Sequence, residues 1–297
     1  MGDDAKTSGQ SLALAALVGG ALIIGAAPIL VRLGQAGPAA IGVWRLAFAL
    51  PLLALMDFRN APGGPGLPTR WMLVAGVAFA ADLGFWHYGI RFTNVANATV
   101  LPNLTPVLVT LFSWLVLKDR PKGGFLAGMI VAMSGAVMMA LAGGKGGPGS
   151  NPHLGDALSA LTAVAYGVYF LAVQAARRTA RTGQVMLWSG IVGLPFLLAL
   201  AIAAGERLTP TDAAGWAALA ALGVVHVTGQ GAIAWALGRL PASTGAVIVL
   251  VQPVAAALLA WLIFRESLSP LQAIGGALAL GGVALSQLRR RTAPALS

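Results

Sequence analysis

The sequence predicts an all-α integral membrane protein of ten transmembrane helices arranged as two inverted five-helix repeats. Three observations carry that expectation. Of 297 residues, 58% are hydrophobic and only 9% charged, with a mean hydropathy of +0.82, whereas soluble domains carry about 25% charged residues. The apolar residues fall in stretches of roughly 20, the length a helix needs to cross a hydrocarbon core about 30 Å thick. One stretch also occurs twice: a shift of 147 positions lays Pro106 on Pro253, Trp114 on Trp261, Gly128 on Gly275, Ala132 on Ala279 and Gly135 on Gly282. The polar pair Lys118-Asp119 lands on Arg265-Glu266, so the match continues past the apolar run, where composition alone would not produce it. A repeat this long marks two halves of one fold rather than a short-repeat solenoid.

Taken in order, the spans fall at 11–31, 39–56, 71–91, 96–117 and 125–141 in the first half, and at 155–174, 185–204, 213–237, 243–264 and 271–288 in the second. The first reads as a retained span. Its leader, Met1-Gly2-Asp3-Asp4-Ala5-Lys6, carries more acid than base, and no tidy cleavage site follows. Turn chemistry separates the spans at Gly34 to Pro38 and at Ala61-Pro62-Gly63-Gly64-Pro65-Gly66, and a glycine-rich run from Gly143 to Gly149 joins the halves. The expected organisation is a cytoplasmic tail (1–10), a first repeat (11–141), a linker (142–154), a second repeat (155–288) and a basic cytoplasmic tail (289–297).

Of the 19 Lys and Arg, 13 fall on one side of the predicted spans and 5 on the other, with Arg45 inside the second span. The positive-inside rule then places both termini in the cytoplasm. Because each half has an odd number of spans, the second enters from the opposite side and the repeats are inverted. Inverted repeats favour alternating access around a site near the midplane. The net charge of +10 is scattered between apolar runs, so it reads as a topology signal and not as a nucleic-acid surface.

Several chemistries are excluded. The chain has no cysteine, and its only histidines are His87, His153 and His226, so thiolate chemistry is absent and a multi-histidine metal site is not expected. No metal and no cofactor is predicted. A GxxxxGK[ST] nucleotide loop is missing, as are HExxH and GxSxG patterns.

Ionisable groups at membrane depth are costly and by default face an interior or a watery cavity. Here they are Arg45, Asp82, His87 and His226. Asp82 and Trp86 share one helix face at i,i+4, as do His226 and Gln230, and the 147 shift puts these faces in neighbouring sectors of corresponding helices. Two readings of Asp82 stand, a cavity-lining group or one paired with Arg45 or a histidine; His87 is equally a packed histidine. Aromatic candidates for a binding site are Trp44 and Trp188, matched with Pro51 and Pro195 by a shift of 144, together with Tyr166, Tyr169, Trp86 and Trp235. The competing reading of membrane tryptophans is interfacial anchoring, which fits Trp71 and Trp216. Pro102, Pro106 and Pro253 remove amide donors and leave carbonyls that Asn97, Asn103, Gln252, water or a substrate must satisfy. These six residues are predicted helix breaks, either hinges or static kinks. The stripes Gly128, Ala132, Gly135 and Gly275, Ala279, Gly282 permit close helix approach, within a monomer or in a homodimer.

Two five-helix halves, each closing with a proline, seven residues, a tryptophan, a basic-acidic pair and a small-residue-rich last helix, resemble the EamA family of the drug/metabolite transporter superfamily. Within it the chain most resembles the YddG group of bacterial amino acid exporters. The resemblance implies export of amino acids, aromatic and other apolar ones included, or of related metabolites, across the bacterial inner membrane by a non-enzymatic transporter. Small multidrug members of the superfamily use a coupling glutamate in the first helix. Here that helix has no acidic residue, so proton exchange through Asp82 or a histidine and facilitated export both stay open. The alternatives are export of drugs or other small metabolites and, more remotely, an intramembrane aspartyl protease using Asp82 and Asp156.

Overall fold

A computed structural model describes residues 2–61, 63–93, 100–143, 150–265 and 268–291, and every regular element within them is helical. Helix α1 comprises Gly2–Ile24 and, past a break at Gly25-Ala26, Ala27–Leu33. Next come α2 (Pro38–Asn60) and α3 (Arg70–Phe92). Helix α4 opens with the 3-10 turn Pro102–Leu104 and continues as Thr105–Leu115; α5 (Gly123–Gly143), α6 (Pro152–Ala176) and α7 (Thr182–Ala203) follow. Helix α8 runs Ala213–Val225, passes through a π turn at His226–Gln230 and resumes as Gly231–Leu237. Helix α9 runs Ala242–Ile248, a 3-10 turn Val249–Val251, then Gln252–Phe264, and α10 is Pro270–Arg291. Seven of these, α1, α2 and α5 to α9, are long and apolar enough to cross a membrane. Residues 144–149 of the expected linker, Glu266 and the tail from 292 onward lie outside the described residues.

Proline dictates where α4 and α9 break. In an α-helix the amides of Pro106 and Pro253 would serve the carbonyls of Pro102 and Val249, but proline has no N–H. The backbone tightens instead: Thr105 N donates to Pro102 O, and Gln252 N donates to Val249 O, each one residue early. The Thr105 hydroxyl adds a second bond to Pro102 O at 2.8 Å. The carbonyls are thus satisfied by backbone and a threonine, and the side-chain amides of Asn103 and Gln252 expected to do this work take no part in it. The repeat extends to backbone conformation: Lys118 (φ 60°) and Arg265 (φ 56°), matched by the 147 shift, both take the left-handed conformation after α4 and α9 end.

Packing follows the same exchange. α3 packs on α6 and α7, and α8 packs on α1 and α2; α2 pairs with α7, α4 with α9 and α5 with α10. Replacing each helix by the one five further on maps this set onto itself. Phe79 and His226, corresponding residues of the two halves, lie ring to ring with centroids 5.1 Å apart. The α5–α10 seam is built from the glycine stripes: a Cβ on Gly128 would strike the backbone of Ser286, and one on Gly282 the backbone of Ala132. The stripes therefore pack within one chain.

Both ends of the α2–α7 pair are tied down. Glu206, in the loop after α7, accepts from the amides of Ala39 (3.2 Å) and Ala40 (2.9 Å) at the start of α2, and from the hydroxyl of Tyr88 on α3. At the other end Arg181 meets buried Asp57 at 3.3 Å.

Candidate functional site

A cavity of about 410 Å³ lies toward the ends of the helices remote from both termini, within the volume range of small-molecule sites. Its wall is made where four interrupted helices meet: the α1 break at Gly25, the α4 turn at Pro102 to Pro106, Gln230 in the α8 π turn, and Val249 to Pro253 in α9. A helix interruption frees side chains and backbone that a regular helix would keep in register, which membrane proteins tolerate where the segment lines a cavity. The rest of the wall is largely apolar and aromatic, including Ile24, Phe79, Leu83 and Trp86.

Into this apolar wall project Arg45 from α2, Asp82 from α3, Asn103 from α4, Thr162 and Tyr166 from α6, Gln230 from α8, and Gln252 from α9. Arg45 is only 6% exposed. Its Nε donates to His226 Nδ1 at 3.3 Å, which requires His226 to present that nitrogen as an acceptor, and its guanidinium lies 5.3 Å from the Phe79 ring centroid. Asp82 interacts electrostatically with Arg45 but forms no ion pair with it. The amide nitrogen of Asn103 is buried without a hydrogen-bond acceptor. Gln230 and Gln252 direct their amides at the Tyr166 hydroxyl, and Gln230 also meets that of Tyr169.

Of the candidate binding residues, the structure brings Asp82, Trp86, Tyr166 and Gln230 into the cavity, along with the helix-break residues Pro102, Asn103, Pro106, Gln252 and Pro253. Tyr169 and His226 stand one layer behind. Tyr169 stacks parallel to Tyr166 at 6.1 Å, and His226, 2% exposed, backs Phe79 and Arg45. His87 is buried beside Trp86, and neither ring nitrogen has a partner. Asn97 lies outside the described residues.

Three tryptophans do not line the cavity. Trp44 donates its indole N–H to Leu208 O (2.7 Å) in the loop after α7, and Trp188 donates to Gly66 O (3.1 Å) in the loop after α2. The pair is symmetric, but as tethers: the loop at each end supplies a carbonyl acceptor for the indole N–H. Trp235 is covered by the Arg239 guanidinium at 3.7 Å. Asp156 accepts from the Thr93 hydroxyl at 2.7 Å and is not in the cavity with Asp82, so no carboxylate dyad forms. Sequence reasoning places Arg45 at membrane depth, as an ionisable group and as a partner for Asp82, but not among the binding residues, and it misses Phe79.

A polytopic helical protein with a polar-studded cavity where broken helices converge has the build of a membrane transporter. Comparison with known proteins agrees: the EamA-like transporter family matches twice, over residues 11–141 and 153–288, and the chain belongs to that family. A Solute carrier family 35 model also matches residues 82–208. Among similar proteins, a probable terminal-alkyne amino-acid exporter of Streptantibioticus cattleyicolor is 30% identical over 98% of this chain and 86% of its own length. The pseudopaline exporter CntI of Pseudomonas aeruginosa is 26% identical over 74% of this chain and 75% of its own. A crystal structure at 20% identity, covering 96% of this chain and 100% of that one, has a TM-score of 0.78 and shows the fold alone.

Proposed function

We propose that the protein exports amino acids or related carboxylate-bearing metabolites across a bacterial inner membrane by alternating access of two inverted repeats, with ten spans and both termini cytoplasmic. The observation that carries this reading is the convergence of Arg45, Asp82, Asn103, Gln230 and Gln252 on a largely apolar cavity at the helix breaks. Intramembrane ionisable groups facing a cavity mark substrate paths. The relatives named as exporters of an amino acid and of pseudopaline support the same class.

Residues 105–115 of α4 pack against 242–248 of α9 on the side of the termini, while the stretches at Pro102 to Pro106 and Val249 to Pro253 flank the cavity on the other side. In this reading the structure is closed to the cytoplasm. Export requires the α4–α9 contact to part and the outer halves to close, with the proline breaks as hinges.

The test is uptake of a labelled panel of amino acids into liposomes holding the purified protein, with and without a pH gradient. Saturable flux that Asp82→Asn weakens is expected. Flux that depends on the gradient would mean proton exchange, and gradient-independent flux would mean facilitated export. No amino acid flux under either condition would refute the assignment and leave drugs or other metabolites as cargo.

A further inference from the structure

The cavity's charge arrangement says more about its ligand than its volume does. Arg45 uses Nε on His226 and one guanidinium face on Phe79; its two terminal nitrogens have no protein acceptor among the described residues. Asp82 accepts no hydrogen bond and forms no ion pair among them either. The two charges share one cavity without touching. In a low-dielectric interior, opposite charges that could pair and do not are each left short of a partner, at a cost of several kcal/mol per ion if nothing else compensates.

The remaining polar groups are lopsided. Asn103 Nδ2 is a buried donor without an acceptor, whereas the amides of Gln230 and Gln252 meet the hydroxyls of Tyr166 and Tyr169; all three residues line the same wall. The donors left without a protein partner are the Arg45 fork and Asn103 Nδ2. An ionised carboxylate accepts only, through two oxygens with about four lone-pair directions, and a guanidinium fork suits it in bidentate fashion. Asp82 is the one anionic group in the lining and suits an ammonium. One positive and one negative fixed charge leave the site neutral. A ligand carrying only a carboxylate would strand Asp82, and an amine alone would strand Arg45 and Asn103.

Resting on the transport reading above, we infer that the ligand is a zwitterionic α-amino acid whose carboxylate is held by Arg45 with Asn103, and whose ammonium is held by Asp82. Its side chain lies against Phe79, Leu83 and Trp86. His226 acts as a positioning residue, since its bond to Nε fixes the plane of the guanidinium and leaves the terminal fork for the ligand. A site built to bond both ends rejects analogues lacking one, because the buried groups meant for that end stay unpaired.

The experiment uses the full-length protein in liposomes. The twenty L-α-amino acids are screened, and the best substrate is competed with its des-amino acid and with the amine left by removing its carboxylate. The parent should prefer the amino acid over each analogue by about tenfold or more, equivalent to ~1.4 kcal/mol. Asp82→Asn should collapse the preference over the des-amino acid and leave the preference over the amine; Arg45→Gln should do the reverse, with Arg45→Lys intermediate. Monodisperse elution of each variant controls for folding, and selectivity ratios are insensitive to the amount of active protein. Analogues that compete as well as the amino acid, or variants that weaken all three ligands in equal proportion, would overturn the inference while amino acid transport itself stood. A parent that carries none of the twenty would overturn both.

Discussion

Glu206 offers the sharpest test of how the cavity is held in shape. Its carboxylate gathers three donors, the amides of Ala39 and Ala40 and the hydroxyl of Tyr88. Ala40 lies five residues before Arg45 on α2, and Tyr88 lies six residues after Asp82 on α3, so one side chain pins together the ends of the two helices that carry the opposed charges. The two amides are among the first of α2, which have no partner inside the helix. Gly37 makes room for this contact, because a Cβ there would meet the Glu206 side chain. Glu206→Ala removes the acceptor for all three donors. Net losses of about 1 kcal/mol for an N-terminal cap and about 1.5–3 kcal/mol for bonds to a charged group, taken at the low end for a half-buried site, place the cost at about 2–4 kcal/mol.

Glu206→Gln is the informative variant. Glutamine keeps the shape but offers one acceptor oxygen and turns an NH₂ toward donors, so at least one amide is left facing another donor. The expected cost is about 1–2 kcal/mol, far from the neutrality of an isosteric surface change. Thermal unfolding of the detergent-solubilised protein should rank parent above Glu206→Gln above Glu206→Ala, and transport should fall in the same order. A Glu206→Gln variant with the parent's midpoint and full transport would refute the claim that the carboxylate sets the α2–α3 geometry.

Three further outcomes follow from the packing. Gly282→Val drives a side chain into the Ala132 backbone and should cost about 1–3 kcal/mol or more by overpacking; because the α5–α10 seam is internal, this shows as lost thermal stability without a change in oligomeric state on size-exclusion chromatography. Trp86→Ala should raise KM and alter side-chain preference, whereas Trp44→Ala, which removes only the tether to Leu208 O, should lower stability and leave the substrate ranking intact. In the double variant Pro106→Ala, Pro253→Ala, restored α-helical bonding should slow transport about tenfold, as ~1.4 kcal/mol on the barrier would, with binding affinity kept. Normal turnover in that variant would show the breaks to be static kinks.

The membrane class, the helical content, the family and the correspondence of the halves were all legible in the sequence, because they rest on composition, run length and a residue-by-residue offset. Even the backbone followed the offset, with Lys118 and Arg265 sharing a left-handed conformation. The proline breaks were legible too, since a missing N–H is a property of the residue itself. How the freed carbonyls would be satisfied was not. The 3-10 bonds from Thr105 and Gln252 did that work, and the side-chain amides of Asn103 and Gln252 took no part in it.

Facing is what tertiary structure alone decided. Periodicity fixes which residues of a helix share a face but not the rotation of that face against its neighbours, and three tryptophans with equal claims in sequence went to loop tethers and a cation–π cap. Arg45 and Asp82 are 37 positions apart, and nothing local says whether two such charges will pair. The packing of α2 on α8 places Arg45 on His226, and both charges line one cavity without forming an ion pair. The sequence by itself determined what kind of protein this is and where its helices weaken; the assembled helices decided which polar groups were left for a ligand, because that depends on distances between elements that no single stretch of chain encodes.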